Sequence, residues 1–166
     1  MASGKTGDTK KTDNFLSFNN VQEKIMATLN PYLNFAGNTE AAFNFYRSVF
    51  GGDFLNLQRF KETPEADRVP AKEKDMIMHV ALPVGRGNAL MATDALESMG
   101  HKVTFGNNIQ LSLEAESKEE AEKLFKALSE EGTITVPLSD TFWGAHFGML
   151  VDKFGVQWMV NYTYKK

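Results

Sequence analysis

Asp140-Thr-Phe-Trp-Gly-Ala-His-Phe-Gly-Met-Leu-Val-Asp-Lys-Phe-Gly-Val-Gln-Trp158 is the stretch whose reading decides the fold of this chain. Its nineteen residues hold three glycines, three phenylalanines, two tryptophans and a histidine. Glycine accepts tight backbone conformations that other residues resist. Each aromatic ring between the glycines is a large rigid surface that needs a packing partner. Residues 147–151 and 156–162 read as two short strands joined by Asp152-Lys-Phe-Gly155, a glycine-bearing hairpin loop.

Upstream of this hairpin, residues 133–137 read as a further strand. Before them Ser117-Lys-Glu-Glu120 forms a capping box. Ala121, Leu124, Phe125 and Leu128 give the buried face of the helix that follows, and Glu131-Gly132 ends it. Residues 108–113 alternate as the strand that enters the helix. The same order occurs earlier. Residues 31–36 are an apolar strand, and Asn38 or Thr39 caps a helix over 40–50 with Phe43, Tyr46, Val49 and Phe50 at helical spacing. Gly51-Gly52 stops that helix. Strands follow at 54–60, 76–82 and 88–93. A charged loop with two prolines separates the first two, and the turn Val84-Gly85-Arg86-Gly87 joins the last two. Two β-α-β-β-β units of similar length indicate an internal duplication of structure, and the fold class is α+β.

Residues 1–25 stand apart as a polar extension or leader, in which Phe15, Leu16, Phe18, Val21 and Ile25 could form one short amphipathic helix. Residues 26–166 read as a single domain, with module one over 29–94 and module two over 107–164. A net charge of −3 and the lack of a Lys/Arg cluster argue against a nucleic-acid partner. No apolar run is long enough to span a membrane. With no cysteine, disulfides, thiolate metal sites and thiol catalysis are excluded together. Nothing at the N-terminus resembles a secretory signal, so a cytoplasmic location is expected.

Paired β-α-β-β-β modules resemble the vicinal oxygen chelate superfamily of glyoxalase I, bleomycin- and fosfomycin-resistance proteins and extradiol dioxygenases. Pro31-Tyr-Leu-Asn-Phe35, Gly37-Asn38, Ala41-Ala42-Phe43-Asn-Phe-Tyr46 and Val49-Phe-Gly-Gly52 are similar to the start of PhnB-like proteins. Met78-His79-Val80, Asp140-Thr-Phe-Trp-Gly144 and Asp152-Lys-Phe-Gly-Val-Gln-Trp158 extend the resemblance over residues 29–164. Lys153 departs from it, because the family usually has proline there. The set is often labelled 3-demethylubiquinone methyltransferase, yet no glycine-rich strand-to-helix loop for a nucleotide-like methyl donor is visible.

The resemblance implies a curved pair of sheets around a cavity, homodimers, and in metal-dependent members a divalent ion held by His, Glu or Gln. The four ligand positions fall at Pro31, Met91, Asn108 and Met159. A proline, two thioethers and a carboxamide do not suit a hard cation, so no metal and no cofactor are expected. Residues of the same parity face the cavity: Leu33, Phe35, Ala89, Met91 and Thr93 in module one, and Asn108, Gln110, Ser112, Gln157, Met159 and Asn161 in module two. Trp143 and His146 are placed at its mouth, and His79 at its edge or in the core. A relay of His79, His146 and Asp140 would suit acid-base chemistry on paper. His101 reads as part of a surface loop.

The expected ligand-binding set is therefore Leu33, Phe35, His79, Met91, Asn108, Gln110, Trp143, His146, Gln157 and Met159. The expected function is metal-independent binding of a small organic ligand by a homodimer. The alternatives are a metal-dependent lyase, isomerase or dioxygenase-like enzyme, and a silent interaction module. Whether any reaction is catalysed stays open at this level.

Overall fold

The computed structural model describes residues 27–85 and 87–165. The extension read over residues 1–25, its short helix and Arg86 lie outside the described residues. Module one runs β1 (Tyr32–Phe35), α1 (Thr39–Phe50), β2 (Asn56–Arg59), β3 (Ile77–Val84) and β4 (Asn88–Asp94). Module two runs β5 (Leu111–Glu114), α2 (Lys118–Leu128), β6 (Thr133–Asp140), β7 (Ala145–Val151) and β8 (Gln157–Thr163). Each module forms its own four-stranded sheet, ordered β1-β4-β3-β2 and β5-β8-β7-β6. In each the first strand pairs in parallel with the last, and the other pairings are antiparallel. No helix among the described residues is long and apolar enough to cross a membrane.

The two helices start by different devices. Ser117 caps α2 as the sequence predicts, its Oγ accepting from the Glu120 amide at 3.1 Å. Glu120 reaches one residue past the cap and accepts from the Glu116 amide at 2.7 Å. At α1 the Asn38 side chain makes no cap bond. The buried carboxylate of Asp94, at the end of β4, takes that role. Its Oδ1 accepts from the amides of Gly37 and Thr39 and from the Thr39 hydroxyl at 2.6–3.1 Å. Its Oδ2 accepts from the Ile77 amide at 2.8 Å. A carboxylate at a helix N-terminus also opposes the positive end of the helix dipole.

Both helices lie between the sheets. α1 packs on β3 and β4, α2 on β7 and β8, and the helices touch each other. One continuous core results, with Phe35, Phe43, Tyr46, Val80 and Leu82 from module one meeting Phe125, Leu128, Leu150, Trp158 and Val160 from module two. Gly148 is required for that approach. A Cβ there would stand 2.6 Å from the Phe125 ring and 2.8 Å from the Leu138 backbone. Because both sheets turn their helix sides to the same core, their opposite faces point outward.

The modules are joined at the buried carboxylate of Asp152, in the turn between β7 and β8. Its Oδ1 accepts from the amides of Phe154 and Val156 at 2.8 and 3.0 Å. Its Oδ2 accepts from Trp158 Nε1 at 2.9 Å and, across the module boundary, from the Tyr46 hydroxyl at 2.7 Å. Burial drives the Tyr46 phenol far above its usual range and the adjacent carboxylate adds to this, so its proton stays in place. Gly155 closes the turn at φ 85, a conformation that favours glycine. Lys153 is ion-paired to Glu131 at 2.9 Å and lies 4.7 Å over the Phe45 ring of α1.

Tyr46→Phe removes one charge-assisted bond and should cost about 1.5–3 kcal/mol. Asp152→Ala leaves several buried donors without an acceptor and should cost more than about 3 kcal/mol. Urea denaturation of both variants checks the order. A Tyr46→Phe protein as stable as the parent would show that the boundary bond contributes nothing net.

Candidate functional site

A cleft of about 1290 Å³ opens along β1. Tyr32, Leu33, Asn34, Phe35, Phe60, Met78 and Thr93 line it from module one, and Asn108, Gln110, Leu111, Val156 and Gln157 from module two. The segment from Met99 to Gly106, which crosses between the modules, forms its third wall. Of the expected ligand-binding residues, Leu33, Phe35, Asn108, Gln110 and Gln157 line this cleft. Met91, Met159, His79 and Trp143 lie beyond it on the outward faces, and His146 lies on neither.

Strand register explains the division. In module two the parity holds: Leu111 pairs with Trp158 and Leu113 with Val160 toward the helices, while Ser112 pairs with Met159 and Glu114 with Asn161 on the outer face. Ile109 is the exception, exposed because β5 starts only at Leu111. In module one the expected parity of β1 is reversed. Tyr32 pairs with Met91 and Asn34 with Thr93, so Tyr32 and Asn34 share the outer face. Leu33 pairs with Ala92 and Phe35 with Asp94 on the helix side, where Phe35 is fully buried. Phe35 and Leu33 reach the cleft only as the backing of its wall.

His79 sits on the outer face opposite Gln58, beside a bulge in which the pairing steps from Gln58–His79 to Arg59–Ile77 and leaves Met78 as the extra residue. Its ring stacks on Tyr32, with centroids 5.8 Å apart and planes 25° apart, and Tyr32 Oη lies 3.4 Å from His79 Nδ1. Burial raises the Tyr32 phenol above its usual range, and the Thr93 hydroxyl acts in the other direction.

His146 is not at a cavity mouth. It falls on the helix side of β7, with the parity of Gly148 and Leu150, and is only 6% exposed. Its Nδ1 donates to Asp140 Oδ1 at 2.5 Å, and its Nε2 stands 3.9 Å from Glu122 of α2. Asp140 also accepts from the Tyr164 hydroxyl at 2.7 Å and from Lys118 at 3.2 Å. The relay of His79, His146 and Asp140 is thus divided between two sheets. Trp143, 57% exposed, packs edge-on against Phe147 and against Phe142, which is 98% exposed.

The amide wall of module two satisfies itself in part. Gln157 donates to the Gly106 carbonyl at 2.6 Å, and Asn161 to Glu114 at 2.6 Å. Glu114 also accepts from the amide and hydroxyl of Thr163. A divalent ion of the kind the superfamily implies does not fit here. Met91 and Met159 stand on different sheets whose outer faces point apart, and thioethers are poor donors to hard cations. Among the described residues no three His, Asp or Glu side chains are grouped as a metal would require. His101, read as a plain surface residue, lines the cleft from the crossing segment together with Lys102.

A family model described as 3-demethylubiquinone-9 3-methyltransferase matches residues 27–161. The chain belongs to this PhnB-like family. It is 42% identical to protein PA1353 from Pseudomonas aeruginosa over 84% of this chain and 99% of that one, with a TM-score of 0.74. It is 32% identical to Protein YjdN of Escherichia coli over 80% of this chain and 93% of that protein. A PhnB protein from Bacillus cereus shares 27% identity over 82% and 100% of the two chains, with a TM-score of 0.67. The architecture is that of the glyoxalase/bleomycin-resistance fold.

Asp140 provides a check on the hydrogen-bond cluster. Tyr164, then His146 and Lys118, hold its carboxyl down at about 2. A carboxylate depressed on folding supports the fold above its unfolded value near 3.9 and gives up that support as pH falls through the folded value. Carboxyl-detected NMR should place the Asp140 midpoint at about 2, and Tyr164→Phe should raise it. A midpoint near the ordinary value in the parent protein would contradict the cluster.

Proposed function

We propose that this protein binds a small organic molecule through contact area and a few hydrogen bonds, without a metal ion. The observation that carries the reading is the cleft itself, whose walls combine Leu33, Phe35, Phe60 and Leu111 with the neutral polar groups of Asn34, Thr93, Asn108 and Gln110. Mixed walls of this kind suit an organic ligand. At the strand positions where the superfamily carries metal ligands, this chain offers the thioethers of Met91 and Met159, which adapt to apolar groups rather than hold a hard cation. The family description names a methyltransferase, but β1 enters α1 through Phe35-Ala-Gly-Asn38, which lacks the repeated glycines of a nucleotide-binding turn.

The functional form is a homodimer. β6 is an edge strand exposed along most of its length, with Ile134 and Val136 uncovered, and the Phe142–Trp143 tip extends the apolar surface. An edge and patch of this kind are commonly covered by another chain. Light scattering behind size exclusion should give twice the mass of one chain. Val136→Lys should shift it to one, and a monomeric parent would remove the dimer from the reading.

Ligand binding is checked by thermal shift against a panel of aromatic and amphipathic organics, with and without divalent ions. Binding to the folded state alone raises its stability by about 2.7 kcal/mol at a hundredfold excess over Kd. The expected result is stabilisation by organics that EDTA leaves unchanged. Stoichiometric metal in the purified protein, with shifts that disappear on chelation, would favour the enzyme reading instead.

A further inference from the structure

Tyr32 is the residue that links the cleft to the outer face of the module-one sheet. It lines the cleft and stacks on His79. The surrounding groups on that face are Asn34 from β1, Gln58 from β2, Ala81 from β3 and Met91 and Thr93 from β4, none of them charged. Arg59, next along β2, is committed to Glu40 at 2.6 Å and to the Asp75 carbonyl at 2.7 Å. The other titratable or charged groups at the cleft are His101 and Lys102 on the crossing segment, with Asp94 buried behind the wall.

The geometry points to Tyr32 and His79 as an acid-selective pair that holds a planar organic ligand by an anionic oxygen at the module-one rim of the cleft. This inference rests on the small-molecule-binding reading and refines it by naming the chemical class of the ligand. The pair works through one shared hydrogen bond. When the imidazole is neutral with Nδ1 as acceptor, the Tyr32 hydroxyl donates to it and its proton is occupied. When the imidazole is protonated, Nδ1 becomes a donor, the phenol oxygen accepts, and the phenol proton turns outward. Protonation thus presents an O–H donor and places a positive charge on a face without any. Both changes favour a carboxylate, sulfonate or phenolate, and neither favours a neutral ligand. The two stacked rings supply a flat edge for a planar body, and Tyr32 is 46% exposed to receive it.

Imidazole is the side chain that gains its charge between pH 5 and 8, so the pair is tested by pH. Fluorescence titrations of the full chain would use anionic 1-anilinonaphthalene-8-sulfonate and its neutral relative N-phenyl-1-naphthylamine, at pH 6 and pH 8. The anion should bind about tenfold more tightly at pH 6, and the neutral probe equally at both. His79→Gln should abolish the step, so that the anionic probe binds equally at pH 6 and pH 8. Tyr32→Phe should reduce the step, and His101→Gln should leave it intact. A step that survives His79→Gln, or vanishes in His101→Gln, overturns the assignment. Binding of both probes with no step in the parent overturns the acid selectivity alone. Failure of both probes to bind overturns the small-molecule reading and this inference with it.

Discussion

The arrangement depends on one buried carboxylate. Asp152 accepts two amides of its own turn, the indole of Trp158 and the phenol of Tyr46. Three of these bonds shape module two, and the fourth reaches α1 of module one. An unpaired carboxylate in that core would carry a large desolvation cost, so its four donors are a condition for the packing. Around it Tyr46, Phe50 and Phe154 gather on Trp158 and α1, with ring centroids 5.6–6.2 Å apart. Lys153 adds a contact to the same boundary, over the Phe45 ring of α1.

Joining the modules through their helices determines where function can lie. Each sheet spends one face on the shared core and keeps the other outward, so neither outer face meets the other within one chain. Between the modules, among the described residues, lies the cleft along β1, bounded by the crossing segment. Asp94 keeps that edge in place, since the carboxylate that starts α1 also holds the beginning of β3. The two buried aspartates therefore divide the work: one sets the module boundary and the other sets the wall of the cleft.

Much of this was legible in the sequence. Helical spacing, paired glycines and the Ser117 cap gave the ten main elements in order, and the polar-apolar alternation of β8 gave its register. The failures have physical causes. β1 sets a ring and an amide, Tyr32 and Asn34, at one parity against Pro31, Leu33 and Phe35 at the other, a weaker polar-apolar contrast than that of β8. Its register is decided by parallel pairing with β4, a long-range contact. The sequence pattern starts β7 at Phe147 and leaves His146 before it, whereas the strand begins at Ala145. Gly148 held the missing signal. A glycine mid-strand marks close backbone approach, and residues two apart share a face, so His146 had to point at α2 with it. No local pattern marks Asp94 as a cap, because it lies far in sequence from the helix it caps.

The two modules share a topology and differ in what their outer faces leave free. In module two the charged group, Glu114, is occupied by Asn161 and Thr163, and Gln157 is turned to the Gly106 carbonyl. What remains there is soft and apolar: Met149, Met159, Phe147 and the exposed Trp143. In module one the polar groups are less committed, with a Tyr32–His79 contact of 3.4 Å and no charge beside it on the outer face. A bonded carboxylate offers little to a newcomer, because taking its donors costs what the new contact gains. Recognition by charge or proton position therefore falls to module one, and recognition by contact area to module two. A duplicated unit can divide its tasks in this way without any change of fold, because the helix-side faces that hold the structure together are separate from the outer faces that vary.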